Sequence, residues 1–134
     1  MKTDKSKYDK PGNLKNGLFK EYFKDGSLSS VGRWLNGERS GQWKYYLRNG
    51  QLRAVGKLSN GQCTGLWKWY RENGGLLQVG KFENNKQVGL WKRYYANGKL
   101  YDIGKYTDGK KTGEWKIYDA KGVLKKTKNY VIKK

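Results

Sequence analysis

Histidine is absent from the 134 residues, cysteine and proline occur once each, and eleven acidic residues stand against thirty Lys and Arg. Each shortage excludes something. Without histidine, the usual general base and the commonest metal ligand are missing. A lone Cys63 forms no internal disulfide, which makes a reducing cytoplasm the expected compartment. With no histidine to activate it, that thiol, in the loop Asn60-Gly61-Gln62-Cys63-Thr64-Gly65, reads as an incidental loop residue and not as a nucleophile. No stretch approaches the roughly 20 apolar residues of a membrane span. The basic segment Met1 to Lys20 has no apolar core of the length a secretory signal needs, so no signal peptide is expected.

The scarce carboxylates are also scattered. Glu21, Asp25, Glu38, Glu72, Glu83, Asp102, Asp108, Glu114 and Asp119 each occupy a different position of the repeat described below. The repeat therefore places no carboxylate pair of the kind glycoside hydrolysis or a metal site uses. No catalytic, metal-binding or cofactor-binding residue is assigned, and the expectation is a protein that is not an enzyme and has no cofactor.

What is present is aromatic, glycine-rich and basic: six Trp, eleven Tyr, three Phe, 19 Gly and a formal charge of +19. Such charge bears on partners, not on fold, and favours nucleic acid, an anionic membrane surface or an acidic protein. The aromatic and glycine content suits short strands and tight turns.

The chain repeats itself every 24 residues. Gly17, Gly41, Gly65, Gly89 and Gly113 open five units. At the third position of each unit stand Phe19, Trp43, Trp67, Trp91 and Trp115, and at the fourth Lys20, Lys44, Lys68, Lys92 and Lys116. The sixth position is Tyr22, Tyr46, Tyr70, Tyr94 and Tyr118. A second glycine column runs Gly26, Gly50, Gly74, Gly98 and Gly122, followed by Leu28, Leu52, Leu76, Leu100 and Leu124. A third glycine column, Gly32, Gly56, Gly80 and Gly104, ends at Lys128 in the last unit.

Each unit predicts two strands. Asp25-Gly26, Asn49-Gly50, Asn73-Gly74, Asn97-Gly98 and Lys121-Gly122 separate them, and a two-residue type I′ turn is expected there. A second turn, at Asn36-Gly37, Asn60-Gly61, Asn84-Asn85 and Asp108-Gly109, leads into the next unit. The expected fold is all-β: about ten strands in an elongated, twisted, single-layer antiparallel meander, solenoid-like in that each unit touches only its neighbours. At ~4.8 Å per strand, five units span about 48 Å. One domain is expected over residues 17–134, with 1–16 a basic segment. There an imperfect half-unit (Lys7-Tyr8, then Pro11-Gly12-Asn13) adds an edge strand, and the Lys133-Lys134 tail caps the far end.

A two-residue turn sets Trp43 opposite Gly56, and Gly41 opposite Leu58, whose position holds Trp34, Phe82 and Tyr106 in other units. Large rings thus face residues without side chains. Alternation assigns the Trp and Leu columns to a packed face. The other face receives Lys20, Lys44, Lys68, Lys92 and Lys116, with Tyr22, Tyr46, Tyr70 and Tyr94. The same face carries Val31, Val55, Val79 and Ile103 and a second basic row, Arg33, Lys57, Lys81 and Lys105. Lysines ~10 Å apart repel by only about 0.4 kcal/mol in water, so the fold tolerates these rows whether or not they bind anything. A solvated face that keeps a thin sheet in solution is the competing explanation.

These residues resemble the MORN-repeat family, in its bacterial variant form with the pattern Gly-x-Trp-x-x-Tyr-Tyr-x-Asn-Gly-x-Leu-x-x-x-Gly-x-Tyr-x-x-Gly-Lys. Trp43 to Gly61 and Trp91 to Lys110 fit it nearly residue for residue. The resemblance implies an elongated twisted sheet that scaffolds or binds proteins, in some members acidic phospholipids. Its antitoxin-like bacterial members imply neutralisation of a toxin by direct binding. The expected function is therefore binding through the basic, Tyr-bearing face to an acidic or nucleic-acid-handling protein, as an antitoxin, immunity protein or nuclease inhibitor. RNA or single-stranded DNA is the second expected partner and an anionic membrane surface the third; no small-molecule substrate is expected. Specificity is expected at variable positions: Tyr45, Trp69 and Arg93 in one column, Phe23, Leu47, Arg71 and Tyr95 in another.

Overall fold

A computed structural model describes residues 8–10 and 13–131. Twelve strands follow one another: β1 (Tyr8–Lys10), β2 (Asn13–Leu14), β3 (Gly17–Tyr22), β4 (Leu28–Leu35), β5 (Glu38–Tyr46), β6 (Leu52–Ser59), β7 (Gln62–Tyr70), β8 (Leu76–Glu83), β9 (Lys86–Tyr94), β10 (Leu100–Thr107), β11 (Lys110–Tyr118) and β12 (Leu124–Tyr130). Strands β3 to β12 form one open antiparallel meander of ten strands in sequence order, as the repeat predicts. Among the described residues there is no helix, and so none long and apolar enough to cross a membrane. The N-terminal half-unit differs from expectation. Strands β1 and β2 pair with each other in a separate hairpin instead of adding an edge strand. Lys7, Pro11, Gly12, Lys133 and Lys134 lie outside the described residues.

The turns are distributed differently from the prediction. Type I′ geometry occurs between units, where Asn36 and Gly37 have φ of 49° and 80° and Leu35 faces Glu38. Within a unit, only the glycine is left-handed: Gly50 has φ 89°, and Asn49 is not among the positive-φ residues. Gly50 N–H donates to the Leu47 carbonyl and Leu47 N–H to the Gln51 carbonyl. That is a three-residue loop, a type I turn completed by a left-handed glycine. Asn49 serves it through its side chain, whose Oδ1 accepts the Gln51 N–H at 2.9 Å. Asp25, Asn73 and Asn97 do the same.

The longer loop inserts a bulge, and the bulge moves a column to the other face. Trp43 faces Gly56 and Gly41 faces Leu58, as predicted, up to Tyr45 opposite Ala54. Then Arg53 is extra, and Tyr46 faces Leu52. Direct partners share a face. The Leu column therefore lies with the tyrosines and lysines, not with the tryptophans. Leu28, Leu52, Leu76 and Leu100 are half-buried there and Leu124 is exposed.

The core is built between units. Trp34, Trp43, Trp67, Trp91 and Trp115 are buried, Trp43 completely. A Cβ on Gly32 would fall inside the Trp43 ring, one on Gly56 inside Trp67, on Gly80 inside Trp91, and on Gly104 inside Trp115. Each indole thus lies over the glycine of the preceding unit, although it also faces one across its own hairpin. Trp43, Trp67, Trp91 and Trp115 Nε1 donate to the carbonyls of Arg33, Lys57, Lys81 and Lys105, at 3.0 to 3.2 Å.

Gly41 has a different duty. Its φ is 76° and a Cβ there would meet nothing within 4 Å. It lies in the bulge between the pairs Arg33–Ser40 and Gly32–Trp43, where the left-handed backbone requires glycine.

Gly80→Ala is expected to lower stability by roughly 1–3 kcal/mol or more, because a methyl group must displace a buried ring. Lys128→Ala, at the same repeat position and exposed, changes stability by less than about 0.5 kcal/mol. Thermal unfolding of both variants checks this; equal losses would refute the inter-unit packing.

Candidate binding faces

Antiparallel pairing sets the fourth-position lysines and the fifteenth-position aliphatics into one row across the sheet. Lys20 faces Val31, which faces Lys44, and so on through Val55, Lys68, Val79, Lys92, Ile103 and Lys116. Arg33, Lys57, Lys81 and Lys105 form the neighbouring row on that face, opposite Leu18, Gln42, Leu66 and Leu90. Tyr22, Tyr46, Tyr70 and Tyr94 form the third, opposite the Leu column. All thirteen residues expected from the sequence share one face.

Arg33, Lys57, Lys81, Lys105, Lys20, Lys44 and Lys116 are exposed, while Lys68 and Lys92 are half-buried. Val55, Val79 and Ile103 flank the latter two, so their aliphatic stems cover apolar surface while the ammonium groups reach water. Arg39–Glu21, Lys86–Asp108 and Arg93–Asp102 form ion pairs, and none of these three uses a member of the two basic rows.

The sequence reading missed the second unit position. Leu18, Leu66 and Leu90 belong to the basic face and are 60%, 52% and 62% exposed. Together with the valines they make that face amphipathic. Their signal was a leucine in three of five units, just before the Trp column.

On the opposite face, Tyr45, Trp69 and Arg93 turn out to be structural. Tyr45 stacks between Trp43 and Trp67, and Trp69 between Trp67 and Trp91, with ring centroids 5.6 to 6.1 Å apart. Arg93 holds Asp102, only 2% exposed, through two hydrogen bonds of 3.1 and 2.6 Å. The second variable column also ties units together. Arg71 Nη2 donates to the Tyr94 carbonyl at 2.8 Å, and Tyr95 O–H to the Tyr118 carbonyl at 2.6 Å. Cys63 is half-buried, and burial pushes its thiol above the usual value, away from the thiolate form. Among the described residues no three or more Cys, Asp or Glu side chains group as metal ligands.

Lys44→Gln and Lys68→Gln are each expected to change stability by less than about 0.5 kcal/mol. Asp102→Ala costs about 1–3 kcal/mol, moderated because the orphaned Arg93 is partly exposed to water. Urea denaturation of the three variants checks the contrast; a large loss for the lysines would make the rows structural.

Three segments, residues 64–84, 87–108 and 111–131, match the MORN repeat variant, so the C-terminal half of the chain carries repeats of that family. No curated protein matches the chain.

Proposed function

We propose that this array of MORN variant repeats is a non-enzymatic binding protein whose basic, Tyr-bearing face takes an acidic protein, or a protein that handles nucleic acid, as its partner. The reading rests above all on the exposed Leu18, Leu66 and Leu90 set among basic residues. Phosphate contacts need charge and hydrogen-bond donors, and base stacking needs rings. Neither calls for exposed leucine. A protein interface does: an apolar centre that excludes water, rings and arginines as anchors, and a charged rim that steers the approach of an oppositely charged surface.

Size is compatible as well. Strands of eight or nine residues at ~3.4 Å each and ten strands at ~4.8 Å give a face of roughly 1,400 Å². A standard interface covers about 800 Å² per partner. A rigid open sheet of this kind occludes a partner's surface without rearranging, which suits neutralisation by direct binding, as in an antitoxin or a nuclease inhibitor.

The test is affinity capture from the native host at low and high salt, with and without nuclease. The expected result is a single protein retained at high salt after nuclease treatment. Leu66→Ser with Leu90→Ser abolishes that retention, whereas Lys44→Glu with Lys116→Glu chiefly slows association and flattens its salt dependence. Recovery of nuclease-sensitive, salt-labile material alone would make the chain a nucleic-acid binder. Retention only on vesicles containing anionic lipid would make it a peripheral membrane protein.

A further inference from the structure

Because the fold repeats, each groove position has equivalents in the other units; those of residues 39, 48 and 53 are Lys15, Lys24 and Ser29 one repeat earlier. At the turn end of the aromatic face, between the first two hairpins, lies an open cleft of about 460 Å³. Arg39, Arg48 and Arg53 line it together with Glu21, Tyr45 and Phe23. One repeat further on, the three arginine positions hold Cys63, Glu72 and Leu77; beyond that Gln87, Ala96 and Tyr101; and finally Lys111, Ala120 and Lys125. Three arginines lining one cleft occur at no equivalent set of positions in the following units, so the fold does not demand them.

The arginines are held in a common manner. Arg39 Cζ lies 5.2 Å from the Trp34 ring centroid and 4.9 Å from that of Trp43, Arg48 5.4 Å from Phe23, and Arg53 5.8 Å from Tyr45. A guanidinium laid over a ring keeps its in-plane N–H edge for an acceptor, and that edge matches an oxyanion bidentately. The local carboxylates leave most of this capacity unused. Glu21 contacts Arg39 at 3.5 Å. Asp25, near Arg48, is engaged by the Ser27 N–H and hydroxyl at 2.9 and 2.6 Å. Three guanidinium groups and the Glu21 carboxylate give the lining a net charge of +2. Ser29, Ser30 and the Tyr45 hydroxyl add neutral hydrogen-bonding groups, and Phe23 and Leu47 an apolar side.

We propose that this cleft binds a phosphate monoester, the dianion held by Arg39, Arg48 and Arg53 and its organic carrier against the apolar side. The charge balance selects a dianion over a carboxylate, and a single compact cleft selects a terminal phosphate over the evenly spaced phosphodiesters of a nucleic-acid strand. The site lies at the turn end of the aromatic face and uses none of the thirteen residues of the basic rows and Tyr row except Tyr46 at its margin.

The test is calorimetric titration of the full chain with phenyl phosphate at pH 7 and pH 5. Saturable 1:1 binding is expected, weaker at pH 5 because the monoester loses its second negative charge near pH 6. Benzoate, a monoanion of similar shape, binds at least about tenfold more weakly. Arg48→Gln and Arg53→Gln each weaken phenyl phosphate about tenfold, while Lys68→Gln on the other face leaves it unchanged. Circular dichroism verifies that the variants fold. Glucose 6-phosphate and a phosphotyrosine peptide then separate the two sources of the group: tighter binding of the first indicates a phosphorylated metabolite, of the second a modified protein. Absence of saturation, equal binding of benzoate, unchanged binding by both arginine variants, or an equal loss on Lys68→Gln would overturn the proposal. Because the capture experiment above reads the basic face, either result stands without the other.

Discussion

The structure depends on one contact repeated four times: an indole lying over the glycine of the preceding unit. A single-layer sheet has no second layer to cover its apolar side, so its large rings must find cover within the sheet. The missing side chain of glycine provides it, and the indole N–H is satisfied at a backbone carbonyl beside the ring. Burying ~200 Å² of ring surface is worth about 5 kcal/mol as an upper figure, which is large against the marginal stability of a small domain. Since ring and glycine belong to different units, this energy is coupling energy between neighbours, and the hairpin alone cannot realise it. The first unit shows the same logic: Phe19 replaces Trp where the position eleven residues earlier is Tyr8 and not glycine.

Much of this was legible from spacing. The 24-residue columns gave the strand number, the meander order and the pairing of unit positions one to five. What failed has a definite cause in turn chemistry. Asn-Gly satisfies two different turns, one in which both residues are left-handed and one in which Asn uses its side chain while only Gly is left-handed. Asn36-Gly37 takes the first and Asn49-Gly50 the second. A dipeptide cannot distinguish them, and choosing wrongly displaces the pairing by one residue beyond Tyr45. In a sheet one residue exchanges faces, which is why the Leu column was placed with the tryptophans.

The candidate site was legible to a similar depth. Alternation located the basic rows because position parity in a strand determines the face, and nothing between unit positions two and five disturbs it. Exposure was harder to read. Leu66 and Trp67 are neighbours and both strongly apolar, yet one is 52% exposed and the other 4%. Apolar character alone would have placed both in a core. The variable column of Tyr45, Trp69 and Arg93 went the opposite way: variation suggested a binding position, whereas each residue meets a different local requirement of packing. The buried Asp102 opposite Arg93, with Ala54 opposite Tyr45 and Gln78 opposite Trp69, shows that the residue across the ladder changes with it.

These two faces divide the work of the chain along physical lines. On the aromatic side almost every position of a middle unit is constrained by the rings above and below, so substitutions there propagate to the next unit. On the basic side the direct partners are Lys with Val, Lys or Arg with Leu, and Tyr with Leu, and the charges are far enough apart for their mutual repulsion to cost little. That side is free to be selected by a partner. The first cleft is the exception on the aromatic side, because Arg39, Arg48 and Arg53 replace residues that in the following unit are Cys63, Glu72 and Leu77. A repeat protein reveals function where its units differ without a structural reason. Position five differs and has one, in the rings and the ion pair it forms; the arginines of the cleft also lie over rings, yet the rings of the following units are packed without them.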